Sequence, residues 1–310
     1  MAKNQILALP ATCDFRNLTT VDVSENALTC LPEWACTAPQ LADLYVQNNN
    51  LSSLPNTLGS VVGLEVLDAS SNQLTGLPES LGTLTMLRVL KLDDNRLSLL
   101  PSSIRGLVAL ERLQLQRNLL ASLPASVGDL RKLSALIASD NRLASLPDSL
   151  GTLEWLRNVD VSHNLLESLP SVLGGLRRLQ QLYAAHNLLR SLPAPPPPPD
   201  ELFFPSLHTL DVSHNALGSL PDTLCDLPKL RYLDAAGNNL TELPDSMRKL
   251  SSLKQLNASS NRLTGLPDAV AELQKLCSID VSLNALASLP TVAWEKDACA
   301  SPVYGSLFSL

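Results

Sequence analysis

The chain has 310 residues, 45% of them hydrophobic, and a formal net charge of −7 at pH 7. Its length allows two ordinary globular domains, and its apolar content allows a large core. No stretch approaches the roughly 20 apolar residues of a membrane-spanning helix, and the 13 glycines form no phosphate-binding loop.

An asparagine recurs every 23 residues along the chain, with a single step of 28 residues between the eighth and ninth repeats. A proline follows each asparagine six residues later. A fixed period of this length predicts one solenoid of stacked repeats and overrides the two-domain alternative. The repeated residues are Asn26, Asn49, Asn72, Asn95, Asn118, Asn141, Asn164, Asn187, Asn215, Asn238, Asn261 and Asn284.

One repeat, residues 64–87, reads LEVLDASSNQLTGLPESLGTLTML. Apolar residues alternate around Leu67 and Ala69, which predicts a short strand. Pro78 marks the turn to the far side, and the apolar spacing after it suits a short helix, a 3-10 turn or a polyproline-like crossover. Asn72 carries amide donors and an acceptor, so we expect a structural asparagine ladder along the solenoid.

The skeleton LxxLxLxxNxLxxLPxxLGxLxxL resembles the leucine-rich repeat family over about residues 1–290. Its LPxxLGxL half is similar to intracellular members such as scribble, erbin and densin, and to repeat proteins that bind Ras-like GTPases. The resemblance implies an α/β solenoid, a horseshoe of about twelve repeats with a concave parallel β-sheet. It also implies a protein-binding role.

The two ends of the predicted solenoid differ. Residues 1–14 form an incomplete first repeat, so the strand near Val21 leaves an open edge. A partner or a second copy covers this edge, or the terminus is short and frayed. Beyond residue 290 the repeat ends, and residues 291–310 are expected to form a C-terminal cap or an aromatic docking tail.

A proline-rich insertion, residues 194–205, accounts for the long step between the eighth and ninth repeats. Its five consecutive prolines favour polyproline II structure. It acts either as a ligand for SH3, WW or profilin-like grooves or as a stiff, tolerated insertion. The prolines are Pro195, Pro196, Pro197, Pro198 and Pro199.

The six cysteines are scattered rather than clustered in end caps. Cys36 and Cys225 take the small-residue position that Gly59 fills in another repeat, so both are expected to be buried free thiols. Because the N-terminal residues also lack a secretory signal, the sequence predicts a cytoplasmic protein, with association with the cytoskeleton as one option.

Acidic residues concentrate on the predicted concave face, at positions two, four and six before each repeat asparagine and at the rim position directly before it. These positions hold three bases, Lys91, Arg112 and Arg117, against eleven acids. The aspartates are either solvated members of a recurring phrase or an acidic groove for a basic protein, and nucleic acid is not expected there. The acids are Asp22, Glu25, Asp43, Asp68, Asp93, Asp94, Asp140, Asp160, Asp211, Asp234 and Asp280.

Tyrosines and histidines place the expected contact surface in repeats seven to ten, because tyrosine often anchors protein interfaces. His163, His186 and His214 share the rim position, which suggests a metal site, a pH-sensitive interface or solvated side chains. The proposed contacts are Tyr183, Tyr232, His186, His214, Asp160, Asp211 and Asp234, with Tyr45 at an equivalent concave position.

The sequence therefore predicts a non-enzymatic protein-interaction scaffold that has no catalytic residues, metal or cofactor. No Cys/His or Ser/His/Asp set is placed together by the repeat. Two alternatives remain. One is a structural subunit of a large cytoskeletal or ciliary assembly, and the other is a regulator of a Ras-like GTPase or a phosphatase.

Overall fold

The computed structural model describes residues 1–9, 17–32, 38–193 and 203–289. The chain divides into two compact units, an N-terminal unit of residues 1–158 and a C-terminal unit of residues 159–310. The proline-rich insertion lies almost entirely outside the described residues, as do residues 291–310, so the predictions for both remain predictions.

The described residues contain twelve three-residue strands, and within each unit the neighbouring strands pair in parallel in the order of the chain. The N-terminal unit contains β1 (Thr20–Asp22), β2 (Asp43–Tyr45), β3 (Val66–Asp68), β4 (Val89–Lys91), β5 (Arg112–Gln114) and β6 (Ala135–Ile137). β7 spans Asn158–Asp160, and the C-terminal unit continues with β8 (Gln181–Tyr183), β9 (Thr209–Asp211), β10 (Tyr232–Asp234), β11 (Gln255–Asn257) and β12 (Ser278–Asp280).

The 23-residue period sets the strand register. Leu44 lies opposite Leu67, and Leu67 lies opposite Leu90, so each central strand residue packs under its equivalent in the next repeat. All three are 0% exposed. Each such burial contributes about 2 kcal/mol, and no repeat can bury these side chains alone. The register is kept across the long step, where Leu182 lies opposite Leu210.

Short 3-10 segments follow the Leu-Pro turns, which settles the alternative that the sequence left open. The proline holds an extended backbone, as at Pro78 with φ −69° and ψ 142°, and its carbonyl oxygen then accepts a 3.0 Å hydrogen bond from the Leu81 N–H. The segments are Asn56–Ser60, Glu79–Thr83, Ser102–Gly106, Ala125–Asp129 and Asp148–Thr152 in the N-terminal unit. The C-terminal unit has Ser171–Gly175, Asp222–Asp226, Asp245–Lys249 and Asp268–Val270.

The small-residue position inside these segments is set by close packing between repeats. A Cβ atom on Gly59 would overlap the Ser80 carbonyl oxygen of the next repeat. Cys225, at this position in its own repeat, is a buried free thiol, and burial raises its pKa. Cys36 lies outside the described residues. Cys277 takes part in a disulfide, which the sequence analysis did not anticipate.

The repeat asparagines form a hydrogen-bonded ladder within each unit. The Asn118 Oδ1 atom accepts a 2.9 Å bond from the Leu97 N–H of the preceding repeat. Its Nδ2 group donates to the carbonyl oxygens of Leu92 and Leu115 at 2.9 and 3.0 Å. One buried amide therefore satisfies backbone groups of two adjacent repeats.

Residues 1–9 lie beside the corner that follows β1. The Lys3 N–H donates to the Ser24 carbonyl at 3.0 Å, and the Asn26 side chain donates to the Met1 carbonyl at 3.0 Å. Among the described residues β1 pairs only with β2. The expectation that a partner covers this edge is therefore untested. The parallel sheet with 3-10 connections confirms the predicted leucine-rich repeat fold class.

Candidate protein-binding face

The open face of the sheet consists of the first and third residues of each strand. In most strands the central residue is buried and its two neighbours are partly exposed, as in β2 and β8. The alternation follows from the pleat of a strand, which directs successive side chains to opposite sides. The third strand positions are four residues before the ladder asparagines and carry most of the predicted acidic residues.

Several open-face aspartates are held by a serine two residues later. The Asp160 Oδ1 atom accepts bonds from the Ser162 N–H at 3.0 Å and its hydroxyl at 2.6 Å. Asp211 is bound in the same way by Ser213, at 3.0 and 2.7 Å. The same contacts occur at Asp22 and Asp68. One carboxylate oxygen thus has a structural role, which fixes the orientation of the other.

In the C-terminal unit Tyr183 lies between two of these aspartates, and we call Asp160, Tyr183 and Asp211 the C-terminal Asp–Tyr–Asp site. Tyr183 lies opposite Asp211 in the strand register, and its carbonyl accepts a 2.8 Å bond from the Val161 N–H beside Asp160. Burial raises the pKa of Tyr183, and the charges of Asp160 and Asp211 raise it further. The phenol therefore stays neutral between two carboxylates.

The N-terminal unit contains an equivalent arrangement, the N-terminal Asp–Tyr–Asp site. Tyr45 lies opposite Asp22 on one side and Asp68 on the other. Here one carboxylate is already paired, because the Lys91 Nζ atom lies 3.0 Å from the Asp68 Oδ2 atom. Asp68 is only 5% exposed. The lysine therefore occupies the position in which an external cation would meet this site.

Asp234 and Tyr232 extend the C-terminal surface. Asp234 lies opposite Asp211, and the Asn257 side chain donates to its Oδ2 atom at 3.0 Å. Burial raises the pKa of Asp234, and Asp211 adds to the effect. Tyr232 is 40% exposed but occupies the first position of its strand, opposite Thr209. It is therefore in a different row from Tyr183.

The three rim histidines form a stack. The ring centroids of His163 and His186 are 4.1 Å apart and those of His186 and His214 are 4.2 Å apart, with interplanar angles of 13° and 11°. All three have positive φ, near 52°, which histidine tolerates better than most residues. Gly237 follows in the same position, and a Cβ atom there would lie 2.6 Å from the His214 Nδ1 atom.

The stack favours the neutral form of His186. Burial lowers the pKa of His186, the charges of His163 and His214 lower it further, and Asp211 opposes them. No group of three or more potential ligands suited to a metal ion is present in the described part of the chain. The stacked rings instead present a flat, weakly basic surface beside the C-terminal Asp–Tyr–Asp site.

The open-face charges are paired differently in the two units. In the N-terminal unit Lys91 pairs with Asp68, and the Arg117 Nη1 atom lies 3.3 Å from the Asp94 Oδ1 atom. In the C-terminal unit no open-face aspartate forms an ion pair with a described residue. They are Asp160, Asp211, Asp234 and Asp280. Within the described residues the N-terminal unit therefore has paired open-face aspartates beside unpaired ones, Asp22, Asp43, Asp93 and Asp140, whereas none in the C-terminal unit is paired.

Comparison with known proteins decides the family. The leucine-rich repeat profile matches residues 39–97 and 199–240. A leucine-rich repeat protein of Leptospira interrogans is 29% identical with a TM-score of 0.83, over 93% of this chain and 72% of that chain. The leucine-rich effector protein YopM of Yersinia pestis is 32% identical with a TM-score of 0.64, over 89% of this chain and 75% of that chain. The chain belongs to the leucine-rich repeat family.

Leucine-rich repeat proteins commonly mediate protein–protein interactions. One similar structure, an octameric complex of Latrophilin 3, Unc5D and the leucine-rich repeats of FLRT2, has a TM-score of 0.68 at 26% identity, over 84% of this chain and 80% of that chain. No curated protein sequence matches this leucine-rich repeat protein. In the ranges that the structure describes, no helix has the length and apolarity needed to cross a bilayer.

The structure brings together most of the residues selected from the sequence. Asp160, Tyr183, Asp211 and Asp234 share one row of the open face. His186 and His214 lie in the adjacent rim row, Tyr232 lies at the first position of the strand that carries Asp234, and Tyr45 belongs to the N-terminal unit. Sequence reasoning missed the aspartate–serine contacts, although the serine two residues after Asp160 was a visible signal.

Proposed function

We propose that this protein is a non-enzymatic interaction scaffold that binds a basic segment of a partner protein at the C-terminal Asp–Tyr–Asp site. The observation that carries the proposal is the pair of carboxylates around Tyr183, which form no ion pair with any described residue. Membership of the leucine-rich repeat family supports a binding role rather than catalysis.

The site is preorganised for a cation. At Asp160 and Asp211 the serine contacts fix the Oδ1 atoms, and the second oxygen of each has no hydrogen-bond partner among the described residues. A guanidinium group offers two parallel N–H donors to a carboxylate, and it also stacks well on an aromatic ring. Tyr183 supplies that ring between the two carboxylates. An arginine of the partner therefore fits this site better than a neutral side chain does.

The rim histidines add a second contact surface. His186 and His214 lie beside the acidic row and are exposed. Stacked imidazole rings offer a flat surface for apolar partner groups and ring nitrogens for polar ones. With Asp234 and Tyr232 they make a broader interface in the C-terminal unit, in which a few central residues contribute most of the binding free energy.

The scaffold has two alternative cellular roles. The LPxxLGxL half-repeat supports an intracellular protein, acting as a regulator of a Ras-like GTPase or a phosphatase or as a subunit of a large cytoskeletal or ciliary assembly. The buried free thiol of Cys225 agrees with a reducing compartment, whereas the disulfide at Cys277 argues for an oxidising one. Non-reducing peptide mapping of protein from its native source distinguishes the two compartments.

Fluorescence anisotropy with a labelled Arg-rich peptide tests the site directly. The double variant Tyr183→Ala/Asp211→Asn keeps the acceptor for Ser213 and removes the ring and one charge. We expect it to weaken binding by at least about 1 kcal/mol, roughly fivefold in Kd. The matched control Tyr45→Ala/Asp68→Asn alters the lysine-paired site and should change Kd much less. Equal losses in the two variants would reject the C-terminal site as the specific one.

A further inference from the structure

A second charged surface lies at the start of the strands in the C-terminal unit. It consists of cationic side chains in the segments that lead from the 3-10 turns into β8, β10, β11 and β12. We call it the basic flank, and its residues are Arg177, Lys229, Arg231, Lys254 and Lys275. All five are exposed.

Backbone hydrogen bonds bring part of the flank into one row. The Arg231 N–H donates to the His208 carbonyl at 2.8 Å, and the Lys254 N–H donates to the Arg231 carbonyl at 2.8 Å. Residues linked in this way lie about 5 Å apart in adjacent strands. The row therefore holds two permanent cations and a histidine, and Lys229 lies two residues before Arg231.

The positive potential of this row acts on His208. Burial lowers the pKa of His208, and the charges of Arg231 and Lys229 lower it further. No carboxylate within the described residues forms an ion pair with Arg231, Lys254 or Lys275. Asp226, which precedes Lys229, is paired with Lys249 at 2.8 Å.

The equivalent row of the N-terminal unit neutralises itself. Arg88 lies between Glu65 and Glu111, with nitrogen–oxygen distances of 3.8 and 3.0 Å. The two units thus use the same row in different ways. Oppositely charged side chains in the N-terminal row form ion pairs with each other. The charged side chains in the C-terminal row are all basic.

We propose that the basic flank is a second docking surface and that it binds an acidic polypeptide segment. The scaffold then holds two partners of opposite charge, a basic one on the open face and an acidic one on the flank. The proposal does not depend on the function of the open face.

The chemistry of the flank favours polypeptide over other polyanions. Single-stranded nucleic acid is usually held by a series of stacked aromatic side chains, whereas the flank has only Tyr232 next to Arg231 and the His208 imidazole in its row. Stable membrane binding usually adds apolar insertion to the electrostatic attraction of basic residues, but Leu207, Leu230 and Leu253, the leucines between the flank positions, are buried. A row of flexible cations suits the alternating side chains of an extended Glu-rich segment.

Anisotropy with a labelled Glu-rich peptide tests this proposal, with a Gln-rich peptide of equal length as the uncharged probe. We expect the full chain to bind the Glu-rich peptide and the variant Arg231→Glu/Lys254→Glu to lose about tenfold or more in affinity. The control Arg96→Glu/Arg142→Glu makes the same charge change at exposed positions elsewhere and should keep the affinity.

Four results would overturn the proposal. They are equal losses in both variants, no binding of the Glu-rich peptide, tighter binding of an oligonucleotide or of phosphatidylserine vesicles, and loss of peptide binding as the chain self-associates at rising concentration. The Arg-rich peptide used for the open face serves as an internal check. Its affinity should not fall in Arg231→Glu/Lys254→Glu, so failure of one site is distinguishable from failure of the other.

Discussion

The two Asp–Tyr–Asp sites share a backbone register and differ in one neighbour. Tyr45 and Tyr183 each lie between aspartates on adjacent strands. In the N-terminal site Lys91 follows Asp68 on the next strand and pairs with it. In the C-terminal site Asp234 follows Asp211 and adds a third carboxylate. A repeat architecture thus supplies the same frame many times, and single substitutions decide which copy remains available to a partner.

The asparagine ladder should contribute equally to the stability of the two units that carry these sites. Asn72 and Asn187 each accept one backbone N–H bond, at 3.0 and 2.9 Å, and each donates to a carbonyl of the preceding repeat at 3.0 Å. Replacing either by alanine leaves buried backbone groups unpaired, at a cost of about 3 kcal/mol. Urea denaturation of Asn72→Ala and Asn187→Ala should give the same loss. A difference above about 1 kcal/mol would show that the two units do not depend equally on the asparagine ladder.

The rim of the C-terminal unit should be sensitive to Gly237. Its φ is +63°, and an added Cβ atom would press against the His214 ring. Gly237→Ala should therefore lower the free energy of unfolding by about 1 kcal/mol or more. Gly76→Ala is the control, because nothing lies within 4 Å of the added atom. Equal losses in the free energy of unfolding of the two variants would show that packing against the histidine stack does not constrain position 237.

Removing the internal cation should make the N-terminal site resemble the C-terminal one. Lys91→Met keeps most of the side-chain length and releases the Asp68 carboxylate. Isothermal titration with the Arg-rich peptide should then show a second binding site. Arg112→Met removes the same charge from the open face outside the pair, and it should leave the stoichiometry unchanged. A second site in both variants would assign the effect to net charge alone.

The smallest expected effect is on pH dependence. A lowered pKa at His186 means that the folded state binds fewer protons than the unfolded state around and below the usual value of 6.5. The contribution of His186 to the free energy of unfolding is therefore complete above that pH. It is lost as the solution is acidified through the pKa of the folded state. His208 is shifted in the same direction. His186→Gln should flatten the fall in urea midpoint between about pH 7.5 and 5.5, and an unchanged slope would contradict the stacking account.

The sequence predicted most of the fold because each repeat carries the same structural residues at the same positions. The leucines at 44, 67 and 90 fixed the register, and the asparagine period fixed the corners. The choice of 3-10 structure after Pro78 was open, since apolar spacing alone does not distinguish a 3-10 turn from a short helix. The serine contacts to Asp160 and Asp211 and the Lys91–Asp68 pair were also missed, because they depend on side-chain direction across neighbouring repeats. The grouping of Asp160, Tyr183 and Asp211 followed directly from the alternation of strand side chains.

The most direct test of the central claim is an NMR titration of the isotope-labelled chain with the Arg-rich peptide. Backbone amide shifts should change around Asp160, Tyr183 and Asp211 at low peptide concentration, with little change around Tyr45 and Asp68. Shifts of equal size at both sites, or shifts confined to the basic flank, would contradict the claim that an unpaired acidic row selects the C-terminal unit for binding.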